Sequence, residues 1–128
     1  MIDRKLRLII TLAAALILSA CATTVIIDED MSSAEIMQRA QEAMDRNRYE
    51  IAIQYYEALY DRNQTNIDLI ITAEYHIAHI KYKQKKYDEA REGLNRVLSY
   101  YTTADAILLP QHFRILSQIV LENISEKE

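Results

Sequence analysis

Cys21 is the single cysteine in 128 residues. With no second thiol to pair with, it is free for other covalent chemistry. It follows Leu18-Ser19-Ala20, the end of an apolar run from Leu8 that only Thr11 interrupts, and Arg4, Lys5 and Arg7 stand before that run. His76 and His79 lie one helical turn apart, a spacing that can set two imidazoles on one metal ion. No third ligand accompanies them, and with Asp68, Thr72 and Lys83 they read as an exposed polar stripe; His112 is isolated. Lys81, Lys83, Lys85 and Lys86 end a predicted helix, where the terminal carbonyls favour cations by roughly 0.3–1 kcal/mol. The same lysines could instead dock an acidic partner or anionic head groups. The chain has no Gly-rich phosphate loop and no nucleophile with a recognisable base. No catalytic residue, metal site or cofactor is therefore assigned, and enzymatic activity is not expected.

The elements that would position Cys21 come first in the chain. The apolar run is shorter than the ~20 residues a membrane-spanning helix needs, and it suits the core of a secretory signal. Leu18-Ser19-Ala20-Cys21 resembles the bacterial lipobox. That resemblance implies a signal peptide over residues 1–20, cleavage before Cys21, and a covalent lipid on that cysteine. An uncleaved signal anchor, or a plain cleaved signal with an incidental cysteine, is the alternative. Each buried CH2 of an acyl chain contributes about 0.8 kcal/mol, so two or three chains anchor a protein durably. Ala22, where an Asp would signal inner-membrane retention, resembles the sorting rule of diderm lipoproteins. It implies an outer-membrane lipoprotein facing the periplasm.

Loss of residues 1–20 removes three Lys/Arg and one Asp and leaves a net charge of −6, which argues against a nucleic-acid partner. Residues 22–31 lack helical periodicity and end in Asp28-Glu29-Asp30, so residues 21–31 read as lipidated cysteine plus tether. The acidic trio also suits the start of the helix that follows.

The folded domain is expected over residues 32–128. One Gly and one Pro in the whole chain, with half its residues apolar, point to an all-α fold of about five helices. Ser32-Ser33-Ala34-Glu35 has capping-box spacing and opens a helix to about Arg46, with Ile36, Ala40 and Ala43 inward. After a turn at Asn47-Arg48, a second helix to about Tyr60 buries Ala52, Tyr56 and Leu59. Thr65-x-x-Asp68 is a second capping signal. It begins an arm with Ala73, Ile77 and Ile80 inward, which a short Lys85-Lys86 turn joins to an arm with Ala90, Leu94, Val97 and Tyr101 on one face. A last helix from Gln111 to Ile124, with Pro110 in its first turn, confines its polar residues to one narrow stripe, Gln111, Arg114, Gln118, Glu122 and Ser125.

Tyr49-Glu50-Ile51-Ala52 and Tyr87-Asp88-Glu89-Ala90 stand 38 residues apart, each followed by a large residue (Tyr56, Leu94) and an apolar one (Leu59, Val97). With Ala40 and Ala78 as small residues on the preceding arms, this resembles the tetratricopeptide repeat (TPR). It departs from the family in its period, which is usually about 34, and in lacking the closing Pro and the usual Trp and Gly. The longer link between the two pairs is similar to that in TPR lipoproteins of the outer membrane, including the β-barrel assembly lipoprotein family. The resemblance implies antiparallel hairpins stacked as a short solenoid. Its concave groove would be lined by Ala34, Met37, Gln41, Met44 and Asp45, then Thr72, Tyr75, His79, Tyr82 and Lys83. A peptide or helix from an envelope protein is the implied occupant. The last helix either folds across this groove or offers part of its apolar arc, with Phe113 and Leu121, to another protein or a second copy. The resulting reading is a lipid-anchored adaptor; a ligand or metal carrier using Tyr75, His76, His79 and Tyr82, or a self-associating structural lipoprotein, are the alternatives.

Overall fold

The computed structural model describes residue 3 and residues 23–127. Cys21 and, residue 3 apart, the expected signal segment lie outside the described residues. Among those described there are five α-helices and no strand: α1 (Ser33–Asp45), α2 (Tyr49–Arg62), α3 (Ile67–Lys83), α4 (Tyr87–Ser99) and α5 (Gln111–Ser125). Helices α1 and α2 form one antiparallel hairpin, α3 and α4 a second, and α5 packs on α4 and α3. The all-α expectation holds. No helix among the described residues is long and apolar enough to cross a membrane.

Local chemistry sets the helix ends. Ser32 caps α1 by accepting from the Glu35 N–H at 3.2 Å. The cap of α3 falls one residue later than the Thr65 signal suggests, because Asn66 accepts from the Leu69 N–H at 3.3 Å and an Asn side chain serves as well there. The two hairpin turns are copies of each other. Asn47 and Lys85 both sit in the left-handed region, at φ 55° and 61°. In the first turn the Arg48 N–H donates to Ala43 O at 2.8 Å and the Asn47 N–H to Met44 O at 2.9 Å; in the second, Lys86 donates to Lys81 O and Lys85 to Tyr82 O, both at 2.9 Å. This paired pattern closes a helix and satisfies its last carbonyls. The sequence repeat is thus also a repeat of backbone conformation.

Helix α3 is buried on two sides. Ala73 and Ile80 join Ile36, Ala40, Ala52, Ile53, Tyr56 and Leu59 in a first core. Ile71, Tyr75 and Ala78 join Ala90, Leu94, Val97, Phe113, Val120 and Ile124 in a second. Each fully buried Ile, Leu or Val contributes about 1.5–3 kcal/mol, so the two cores carry most of the favourable term. The backbones of α3 and α4 approach closely at Gly93, where an added Cβ would stand 2.7 Å from Ala78 Cβ.

Residues 23–31, the described part of the expected tether, are held against the fold. Gln54 holds this segment twice: its Oε1 accepts from the Val25 N–H and its Nε2 donates to Thr23 O, both at 2.9 Å. Arg62 donates to Asp28 O at 2.9 Å and to Ile27 O at 3.1 Å, while Ile27 and Met31 pack against the first core. The segment is a strap laid along α2. Side chains of the helix serve its backbone polar groups, which is why no periodicity in its own sequence announces it.

The loop expected over residues 102–109 contains 3-10 turns, Tyr100–Thr102 and Ala104–Leu108. Tyr101, expected on the inward face of a continuous helix, instead lies beyond the end of α4 and donates to Pro110 O at 2.7 Å.

Candidate functional site

The expected groove residues do not form one open groove. On α1, Met37 and Met44 pack partly buried against the first core, and Gln41 is exposed, donating to Asp45 Oδ1 at 2.9 Å. On α3, Tyr75 is only 5% exposed, because Phe113 of α5 lies against it with ring centroids 5.0 Å apart. The last helix packs on α4 and α3, against the α3 half of the expected groove. Phe113, expected in an outward contact, is 7% exposed, and Leu121 packs partly buried against the second core. Both correct the outward reading for the same reason. Apolar residues cover most of the α5 circumference, and packing selects Phe113, Ser117, Val120 and Ile124 as the inner line.

A ladder of rings runs along α3 between α2 and α5. His76 lies flat on Tyr56, centroids 4.7 Å apart and planes 6° apart. His79 stacks between Tyr75 and Tyr82, at 5.8 Å and 6.2 Å. Phe113 meets His76 edge-on at 6.0 Å and His112 at 4.0 Å, and Lys127 stands 5.4 Å from the Tyr82 ring. The histidines are therefore packing residues and not an exposed stripe, and His112 is not isolated. Burial lowers the His76 pKa from 6.5 to about 4, and the nearby His79 and His112 push the same way. Burial, then Lys83, lowers His79 as well. Burial raises Tyr56 to about 12, with Asp45 adding to it. No group of three His, Cys, Asp or Glu capable of holding a metal ion occurs among the described residues. Of the other groove candidates, Ala34 and Lys83 are exposed and Thr72 is half-buried.

Two open surfaces were not anticipated in this form. A cleft of about 490 Å³ lies between α2, α3 and α4, with Ile77, Ala78 and Gly93 in its lining. Lys81 and Arg96 in it are paired with Glu89 at 3.1 Å and with Glu92 at 2.8 Å. The second is apolar. Ile115, Leu116 and Ile119 are exposed on the outer side of α5, and Ile107 and Leu108 in the turn before it are 80% and 79% exposed. The apolar breadth of the last helix was legible in the sequence, but the split between its two sides was not.

No family model and no solved structure matches the chain. It is similar to an uncharacterised protein of Treponema pallidum (strain Nichols), 34% identical over 110 residues. That stretch is 84% of this chain and 44% of the relative, so the chain spans less than half the length of the protein it resembles.

Proposed function

We propose that the chain is a lipid-anchored adaptor of the bacterial cell envelope: a short TPR-like stack, held on the outer membrane through Cys21 and facing the periplasm, that binds another envelope protein. The single observation carrying the reading is the outer face of α5. Helix α3 buries side chains on two sides, toward the hairpin before it and the helices after it. Helix α5 buries only one, and its other side keeps Ile115, Leu116 and Ile119 in solvent. An apolar face at the end of a helical stack is complementary to one more amphipathic helix. The occupant we assign is such a helix from a partner protein. The TPR assignment draws support from the matched hairpin turns at Asn47 and Lys85, and the lipid anchor from the lipobox-like Leu18-Ser19-Ala20-Cys21. By the TPR resemblance, β-barrel assembly or the organisation of an envelope complex is the setting.

The test is co-purification from detergent-solubilised envelopes, with wild-type protein and an Ile115→Asp, Ile119→Asp variant. A partner held by the wild type and lost from the variant is the expected result. Monomer alone, even under mild cross-linking, refutes the adaptor; a dimer of the purified chain that the variant dissolves assigns the face to a second copy. Labelled palmitate entering the wild type but not Cys21→Ser tests the anchor separately.

A further inference from the structure

The strap and the hairpin turns bring two unrelated features to one end of the molecule. Thr23 and Val25 are held at Gln54, and Ile27 and Asp28 at Arg62, so the strap runs parallel to α2. Its upstream end therefore points toward the first turn of α2. Two residues span at most about 7 Å, so Cys21 lies within that distance of Thr23 whatever path joins them. Gln54 stands six residues past Arg48, a rise of about 9 Å, and its side chain leans toward the helix start. The described strap thus begins on the half of α2 nearer the α1–α2 turn end of the stack, with Cys21 two positions upstream in sequence.

That end is basic. Arg46, Arg48, Lys83, Lys85 and Lys86 are all exposed there. Gln84 Nε2 donates to Glu50 Oε1 at 2.8 Å, which ties the two hairpin turns side by side. Three carboxylates at the same end are engaged within the fold, Asp45 by Gln41, Asp88 by Arg91 and Glu89 by Lys81, while Glu122 and Glu126 at the close of α5 are exposed there beside Lys127. At the opposite end stand Asp28, Glu29, Asp30, Asp61 and Asp68, all exposed. The opposite end also carries exposed Arg62 and Arg114, so the asymmetry is local to the two hairpin turns and to the strap. Folding accounts for Lys81 and Lys83, in the last turn of α3. It does not account for Arg48 and Lys86. These are the N-cap residues of α2 and α4, make no capping hydrogen bond, and set positive charge at the positive end of a helix dipole.

We propose that the turn end is a docking face for an anionic phospholipid surface. The basic turns lie against the head groups of the membrane that holds the Cys21 acyl chains, and the hairpins stand upright on it. The inference rests on acylation at Cys21, which brings the face within reach; the charge pattern then sets which end faces the lipid. The opposite, acidic end is turned away.

The experiment uses protein that has already taken up palmitate, reconstituted in vesicles of phosphatidylglycerol and phosphatidylcholine with a quencher on the head groups. A fluorophore is placed on Asp88→Cys, at the basic end, or on Thr65→Cys, at the acidic end. Expected is stronger quenching at position 88 than at 65. The difference is lost in pure phosphatidylcholine, at high salt, and in an Arg48→Glu, Lys85→Glu, Lys86→Glu variant whose helical circular dichroism is retained. Equal quenching at the two positions in anionic vesicles overturns the proposal, and so does a difference that survives neutral lipid and high salt. Because only acylated protein enters the assay, either outcome sinks the orientation and leaves the anchor standing, whereas failure to incorporate palmitate sinks the anchor.

Discussion

Acidification should weaken this fold through His76, and the size of the effect follows from its surroundings. The ring lies flat on Tyr56 and edge-on to Phe113. A proton added there has no carboxylate partner among these rings and meets His79 and His112 as further positive charges. Folding lowers the His76 pKa from 6.5 to about 4. Between those values the unfolded chain binds the proton and the folded chain does not, so stability rises with pH across that window. The contribution is fully present above pH 6.5, declines as pH falls, and is exhausted below about 4. At about 1.4 kcal/mol per tenfold change in proton affinity, the loss is about 3 kcal/mol. That is a large part of the 5–15 kcal/mol, roughly, that holds a domain of this size together. Thermal unfolding followed by circular dichroism at steps from pH 7.5 to 4 should show the midpoint falling by roughly 15 °C from this residue. Carboxylates also titrate at the acid end of that range, so the decisive comparison is His76→Phe, which keeps a flat ring on Tyr56 and removes the ionisation. The variant should lose much of the slope between pH 6.5 and 4, with His79, lowered in the same direction, accounting for part of what remains. An identical slope in wild type and variant would refute the assignment.

Three further substitutions probe the scaffold. Gly93→Ala sets a Cβ 2.7 Å from Ala78 Cβ, so α3 and α4 must separate, and chemical denaturation should show a loss of about 1–3 kcal/mol. Lys85→Gly relieves a left-handed residue at φ 61° and should stabilise by about 1 kcal/mol, visible as a raised midpoint in the same assay; a lowered one contradicts the turn geometry. Ser117 is fully buried and its Oγ has no hydrogen-bond partner. Ser117→Ala should therefore be neutral or stabilising by up to about 1 kcal/mol, and a clear destabilisation means the hydroxyl is bonded in solution.

The hairpins could be read from the sequence because their signals are local. The Tyr49–Ala52 and Tyr87–Ala90 blocks open α2 and α4, and Ser32 with Glu35 opens α1. The misplacements have physical causes too. A polar imidazole spaced with Asp68, Thr72 and Lys83 reads as solvent-facing, but α3 lies between two cores and buries side chains on both sides; stacking on Tyr56 covers the His76 ring. Phe113 and Ile115 are equally apolar, and only the direction from which α5 approaches decides which of them is covered. The strap was invisible because its partners, Gln54 and Arg62, look like ordinary surface residues of an amphipathic helix. Their contacts span about thirty residues of chain, a separation that periodicity does not report.

The strap also fixes how the domain responds to force. Its hydrogen bonds are arranged one after another along α2, at Thr23 and Val25 and then at Ile27 and Asp28. Tension applied to the chain start lengthwise along the helix loads them together, in shear. A sideways tug peels them in turn, beginning with the Gln54 clasp. Motion of whatever holds residue 23 is therefore transmitted to the first hairpin without slack when the pull is axial, and is absorbed by unzipping when it is lateral.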